Sequence, residues 1–238
     1  MLRSAVLTVA GLAVTSVGAA PAAEVADRIS APLASAPVLV PPAPEPPAAR
    51  LVWLDPAGVA LGTEGIVWPE VARLLRQMGV ATSWRRGEPH ELAREGELRV
   101  IFLNRASERQ HRMPVLGATP SSFQGEPFVW VHVPSVGAAA GVSGRSGPSL
   151  DIHSARRLGI ALARVIAHEV VHAVAPAVPH GTGLMAPRLD RHMLTDPSIP
   201  IDPLVGVAVR AALEGAPPAE RPADAILAVE SSYKEPYP

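Results

Sequence analysis

Two histidines and a glutamate occur at a spacing that can hold and use a metal ion. The stretch His168-Glu169-Val170-Val171-His172 lies inside a helical pattern of apolar residues, and residues four apart on a helix lie one turn apart on the same face. The imidazoles of His168 and His172 can therefore converge on one ion. Glu169 lies beside them and can reach a water on that ion without being a ligand. The spacing predicts a hydrolytic metal site with Glu169 as its general base.

A catalytic metal site needs a third protein ligand and one open position. His180 follows His172 by eight residues, and Pro176 between them ends the helix. A turn of this length, helped by the glycines that follow His180, can fold the imidazole back over the helix end. We expect His180 as the third ligand. His192 and Asp190 are the alternatives, because both offer donor atoms that zinc commonly uses.

The amino-acid composition narrows the choice of metal. The 238 residues include no cysteine, which excludes disulfides, thiol nucleophiles, iron–sulfur clusters and Cys-ligated zinc. Any metal is therefore held by His, Asp or Glu, and neutral imidazoles leave Zn²⁺ Lewis-acidic. We expect one catalytic Zn²⁺ ion on His168, His172 and His180. The alternative is a pair of core histidines bonded to backbone carbonyls, which would need several polar partners within one helical turn.

The charge and aromatic content argue against two other classes of function. The formal net charge is −1 and aromatic residues make up 4%, so neither a basic stripe for phosphate backbones nor a stacking platform for bases is expected. We expect no nucleic-acid partner. Short basic pairs such as Arg85-Arg86 are expected on the solvated surface. Hydrophobic residues make up 48% of the chain, enough to bury a core.

Several elements must position the histidine pair. It lies on the longest proline-free helical pattern, 158–175, whose start could lie several residues earlier. Strands are predicted at 51–54, 98–103 and 128–133. The apolar piece 113–118 is framed by prolines, which are tolerated at sheet edges, so it is expected to be an edge strand or a rim loop.

Other patterns predict two further helices and a loop. Apolar spacing predicts a helix over 69–78. A second helix is predicted after Asp202-Pro203, an N-cap with proline at the first helical position, and Gly215 lies just past its end. The small residues of 137–147 predict a loop. Strands and helices together indicate an α+β fold.

The ends of the chain differ in composition from its middle. Residues 1–22 have a positive start, an uncharged apolar run and small residues, which is typical of a signal peptide. The run is shorter than the ~20 residues of a spanning helix, so we expect export to the periplasm or outside the cell and no stable membrane insertion after cleavage. Residues 23–49 are rich in Ala and Pro and predict an extended linker. The folded domain is expected at 50–215 and a mobile Pro-rich tail at 216–238.

The segment 168–185, HEVVHAVAPAVPHGTGLM, resembles the zinc-binding stretch of zincin metallopeptidases, and most of all the metzincin branch. That branch carries H-E-x-x-H-x-x-G-x-x-H followed by a methionine turn. The first five residues match directly. His180 matches by role, two positions later than the third metzincin histidine, and Met185 resembles the methionine of the turn. Ala175 stands where the metzincin glycine bends the chain, so the bend is expected at Pro176.

The resemblance implies a zincin-like domain in which a mixed sheet packs on the active-site helix, with a C-terminal helix and an edge strand, here 115–118, that pairs with a peptide substrate. It implies an exported zinc peptidase acting on peptides or proteins, in which Glu169 accepts a proton from water and passes it to the leaving amine. Zincins often add a Tyr or His electrophile. The two tyrosines lie in the tail, so His192 or Arg188 would serve.

A second hypothesis belongs to a different class. An exported metal-binding or scaffolding domain could keep a zincin shape without turnover, and the missing metzincin glycine and electrophile favour it. The intact Glu169 favours the enzyme, because a structural zinc site closes with four protein ligands and needs no adjacent carboxylate. A fourth protein ligand in place of water would favour the scaffold.

Overall fold

A computed structural model describes residues 45–105, 115–120, 127–142 and 150–215. The predicted signal peptide, most of the predicted linker and the predicted tail lie outside these residues. The described elements are, in chain order, β1 (Ala48–Leu54), α1 (Glu64–Gln77), β2 (Ala81–Arg86), β3 (Glu97–Leu103), β4 (Gly117–Ala118), β5 (Phe128–His132), α2 (Val133–Ala139), α3 (Ile152–Val174), a 3-10 turn (Gly183–Met185), α4 (Arg191–Thr195) and α5 (Pro203–Leu213). None of these helices combines the length and apolar character needed to cross a membrane.

The described strands form one mixed sheet in the order β2-β1-β3-β5-β4. The first four strands are parallel, and the short strand β4 runs antiparallel to β5, with Gly117 opposite Val131 and Ala118 opposite Trp130. The predicted α+β class with a mixed sheet is confirmed. The prediction of an edge strand within 113–118 is also confirmed, with residues 113 and 114 outside the described part of the chain.

Helices α1 and α3 pack against each other and cover the sheet, α1 beside β2 and α3 beside β5. Leu51, Val100 and Val129 project from three neighbouring parallel strands into a common core with these helices. Near-continuous apolar sequence is typical of parallel strands whose faces are covered. Helices α2, α4 and α5 also pack on α3, so the long helix that carries the histidine pair is supported by the sheet and by four other helices.

Helix α3 begins earlier than its apolar pattern indicates. Asp151 is its N-cap, and one carboxylate oxygen accepts the backbone N–H groups of His153 and Ser154 at 2.9 and 3.0 Å. These bonds satisfy donors that have no partner within the helix. One turn before the histidine motif, buried Arg164 donates to the backbone carbonyls of Met193 and Asp196. Helix α4 is thereby fixed to the middle of α3.

Two predicted boundaries were wrong for identifiable reasons. Helix α1 begins at Glu64, not at Pro69, and Pro69 lies inside it. The turn before the proline buries Val67, and this burial helps to offset the backbone hydrogen bond that the proline removes. The predicted loop 137–147 is helical up to Ala139, where α2 ends, and residues 143–147 of this prediction lie outside the described part of the chain. Pro134 favours the start of that helix, and its small residues let it pack closely on α3.

Strand β2 was not predicted, and Arg85 within it is not simply solvated. Its guanidinium forms ion pairs with Glu91 at 2.9 Å and with Glu97 at 2.6 Å. Glu97 begins β3 and is buried, which accounts for a half-buried arginine on this strand. The expectation of a solvated surface for Arg85 was therefore wrong.

Candidate metal centre

The structure brings the three predicted ligands, His168, His172 and His180, into one cluster. One ring nitrogen from each lies within 4.8 Å of the other two, and the Nε2 atoms of His172 and His180 are 3.2 Å apart. Two nitrogens bound to a tetrahedral zinc ion at 2.0–2.1 Å would lie about 3.3 Å apart. The distance between His172 and His180 is close to this value, and the three histidines could together hold a metal ion.

A backbone carbonyl fixes the proton on His168. Its Nδ1 lies 2.7 Å from the carbonyl oxygen of Leu184, and because a carbonyl can only accept, Nδ1 must carry the proton. Nε2 is then the atom with a free lone pair. Metal-binding histidines commonly donate their other N–H in this way, which sets both tautomer and ring orientation.

The turn that returns His180 to the helix end is made without a glycine. Helix α3 ends at Val174, and Val178 N–H donates to the Ala175 carbonyl at 2.9 Å. Pro176 is the second residue of this turn, where its fixed φ is favourable. The bend expected at Pro176 is confirmed. Ala175 itself is buried.

The electrostatics of the cluster favour neutral imidazoles. Burial, together with the neighbouring imidazoles of His168 and His180, lowers the pKa of His172 to about 4. Burial also lowers the pKa of His168, against an opposing hydrogen bond to Leu184. Metal binding requires unprotonated imidazole nitrogen. The environment therefore stabilises the form of the side chain that a metal needs.

Glu169 lies on the same cleft as the histidines, held against the edge strand. Thr119 Oγ1 is 2.9 Å from its Oε2 and 3.0 Å from its backbone carbonyl oxygen. A Cβ atom on Gly117 would approach Glu169 Cγ to 2.8 Å, so only glycine fits beneath the side chain. Burial raises the pKa of Glu169 to about 7, partly offset by the Thr119 bond. A carboxyl group with such a pKa suits proton transfer near neutral pH.

The cluster opens into a cleft of about 940 Å³. Strand β4 and the residues next to it line this cleft, and so do Arg188, Asp190 and Arg191. A cleft of this volume accommodates an extended peptide or another ligand of similar size.

The alternative ligands have other partners. His192 Nε2 lies 3.0 Å from an Asp196 carboxylate oxygen, and the Asp190 carboxylate caps α4 by accepting the Met193 N–H at 2.8 Å. Neither side chain belongs to the histidine cluster. Met185, which resembled the methionine of the metzincin turn, is buried in the hydrophobic core, where it packs among other apolar residues.

Two partners of the site have no signal of their own in the sequence. Thr119 lies 50 residues before Glu169, and the partner of His168 is a backbone carbonyl, which every residue possesses. The one feature of the sequence that could have indicated Thr119 as a site residue was its position directly after the predicted edge strand. Only the sheet pairing reveals that this place faces α3.

Comparisons of this chain with known proteins found no match. No protein-family model matches the chain, no curated protein matches it, and no solved structure matches it. The observations that indicate a function therefore come from the geometry of the cleft.

Proposed function

We propose that this protein is an exported zinc-dependent peptidase of the zincin type. The observation that carries the proposal is the joint placement of three convergent imidazoles and a buried carboxylate on one cleft. A purely structural zinc site would close with a fourth protein ligand. Among the described residues, the candidate cluster contains three histidines and no further ligand.

The chain's own residues supply binding and proton transfer. His168, His172 and His180 would hold the ion, which when bound would acidify water and polarise a carbonyl. The Glu169 carboxylate accepts the proton that the attacking water loses and delivers it to the nitrogen of the departing amine. The peptide C–N bond breaks, and the products are a carboxylate and an amine.

The edge of the sheet supports a peptide as substrate. Strand β4 is the last strand of the sheet and lines the cleft beside Glu169. An extended peptide can add to such an edge as a further strand, so that main-chain hydrogen bonds bring its carbonyls past the metal site. This arrangement is similar to that expected of a zincin, in which the edge strand, the active-site helix and the metal face one cleft.

Arg188 is the better of the two candidates for stabilising a developing oxyanion. It lines the cleft, whereas His192 pairs with Asp196. A guanidinium carries a permanent charge and several donors that can face a carbonyl oxygen as it gains negative charge. We assign this role to Arg188.

The test combines metal analysis with peptide hydrolysis by the purified full-length chain. We expect about one equivalent of zinc, cleavage of a quenched-fluorescence peptide library, and loss of cleavage after chelation with recovery on adding zinc. Glu169→Gln should retain zinc and lose roughly 10²–10⁴-fold in kcat, the range of general-base catalysis. Cleavage that persists after chelation, or in Glu169→Gln, would overturn the proposal. Bound zinc without any cleavage of the library would also overturn it, in favour of the metal-binding scaffold.

A further inference from the structure

We propose that Thr119 is a positioning residue, whose hydroxyl holds the Glu169 carboxylate in the orientation that proton transfer requires. The inference rests on the proposed function of the same site. It begins from the two contacts of Thr119 Oγ1, at 2.9 Å to Glu169 Oε2 and 3.0 Å to the Glu169 carbonyl oxygen. One hydroxyl thus contacts both ends of the same residue.

The position of the Thr119 hydroxyl is set by the sheet. The N–H of His132 donates to the Leu116 carbonyl at 2.9 Å, and β4 continues with Gly117 opposite Val131. Thr119 directly follows Ala118, the last residue of this strand. The hydroxyl is therefore carried by a residue next to a paired backbone, and a rigid neighbouring element is the kind of support that a precisely oriented site needs.

Gly117 contributes the complementary steric contact. Its missing Cβ would lie 2.8 Å from Val165 Cγ1 and 3.1 Å from Glu169 Oε1. The carboxylate therefore lies against the bare backbone of β4 on one side and bonds to Thr119 through its other oxygen. Among the described residues, Thr119 is the one whose side chain forms a hydrogen bond with the Glu169 carboxylate.

The chemistry of a hydroxyl suits this place better than a backbone carbonyl, which only accepts, or a backbone N–H, which only donates. A hydroxyl donates one hydrogen bond and accepts others. It can donate to an ionised carboxylate, and it can accept from a protonated carboxyl group while donating to the Glu169 carbonyl. Glu169 therefore keeps a partner both before and after it takes up the proton of water.

The decisive variants are Thr119→Val, which keeps the shape and removes the hydroxyl, and Thr119→Ser, which keeps the hydroxyl. In the zinc-loaded full-length protein we expect Thr119→Val to lower kcat about 10–100-fold, the effect typical of removing an orienting partner, with KM and zinc content little changed. Thr119→Ser should recover most of kcat. Thr82→Val is the matched control, because the Thr82 hydroxyl is buried and has no hydrogen-bond partner. Unchanged turnover in Thr119→Val, or equal loss in both Thr119 variants, would overturn the proposal.

A second readout is independent of catalysis. In metal-free protein, Thr119→Val should lower the urea midpoint of unfolding, and the shift should be smaller when Glu169 is already Ala, because only the bond to the backbone carbonyl is then lost. Equal shifts in the two backgrounds would overturn the positioning role even if the protein proves to be a peptidase. If Thr119→Val shifts the urea midpoint less in the Glu169→Ala background, and the protein has no peptidase activity, the contact between Thr119 and Glu169 is supported. Only the proposed function is then rejected.

Discussion

The Nδ1–H of His168 donates to the carbonyl oxygen of Leu184 at 2.7 Å. Leu184 belongs to the 3-10 turn that follows His180, and its own N–H donates to the Pro200 carbonyl at 2.9 Å. Gly183 enters this turn with φ +60°, and a Cβ there would lie 2.1 Å from the Pro200 oxygen. The orientation of a candidate metal ligand therefore depends on a glycine fifteen residues further along the chain.

Gly183→Ala should weaken metal binding without touching a ligand. The new methyl group cannot fit against Pro200, so the turn must shift and the Leu184 carbonyl must move away from His168. Loss of such an orienting partner typically costs about 10–100-fold in metal affinity, which competition with a chromophoric chelator would measure. Gly181→Ala is the control, because a Cβ at Gly181 meets nothing within 4 Å. Equal affinity in both variants would contradict the dependence.

His180→Ala should lower zinc occupancy, whereas His192→Ala should leave it unchanged. His180 Nε2 faces His172 Nε2 at 3.2 Å, while the His192 side chain is 82% exposed and pairs with Asp196. Zinc content after dialysis against a weak chelator distinguishes the two. If His192→Ala lost zinc and His180→Ala kept it, the third ligand would be wrongly assigned.

The sequence was sufficient for the parts of the site that depend on local spacing. His168 and His172 are one helical turn apart, and a proline-containing turn is short enough to return His180 to the helix end. The same holds for α5, where Asp202 accepts the Leu204 N–H at 2.9 Å as the predicted N-cap. These features need few contacts between distant parts of the chain.

Contacts between distant segments were beyond what the sequence could predict. The Thr119–Glu169 bond exists because β4 pairs with β5 beside α3, and no periodicity within either segment encodes that pairing. Strand β2 was missed for a related reason. Its sequence ATSWRR lacks regular alternation, and it is stabilised by parallel pairing with β1 and by an ion pair from Arg85 to Glu97 in β3.

Arg188→Ala should lower kcat more than it raises KM. A cleft-lining guanidinium that meets charge developing on the substrate oxygen acts in the transition state, and removing one such donor costs roughly 10²–10³-fold in kcat. Steady-state kinetics on one cleaved peptide would provide both parameters. His192→Ala serves as the comparison, since it was the other candidate electrophile. A larger kcat loss in His192→Ala would exchange the two assignments.

The ion pair between Arg85 and Glu97 predicts how stability depends on acid. Arg85 Nε and Nη2 donate to the two carboxylate oxygens of Glu97 at 2.7 and 2.6 Å, and the Arg94 N–H adds a third bond at 2.8 Å. The Arg85 hydrogen bonds lower the pKa of Glu97 to about 2, from an ordinary value of 4.5. A lowered carboxyl pKa means that the folded state binds its proton less readily than the unfolded state.

The stabilisation from Glu97 should therefore be complete above pH 4.5 and should disappear as the pH falls towards about 2. Glu97→Gln keeps the side-chain shape but cannot ionise, so it should unfold at lower urea than the wild type at pH 7. The urea midpoints of the two proteins should then approach each other between pH 4.5 and pH 2.5, because only the wild type has a carboxylate at position 97 that can take up a proton. Glu95→Gln, at an exposed glutamate two residues earlier, should match the wild type throughout. A difference between wild type and Glu97→Gln that stays constant across this range would mean that burial and shape, rather than the paired charge, are what Glu97 contributes.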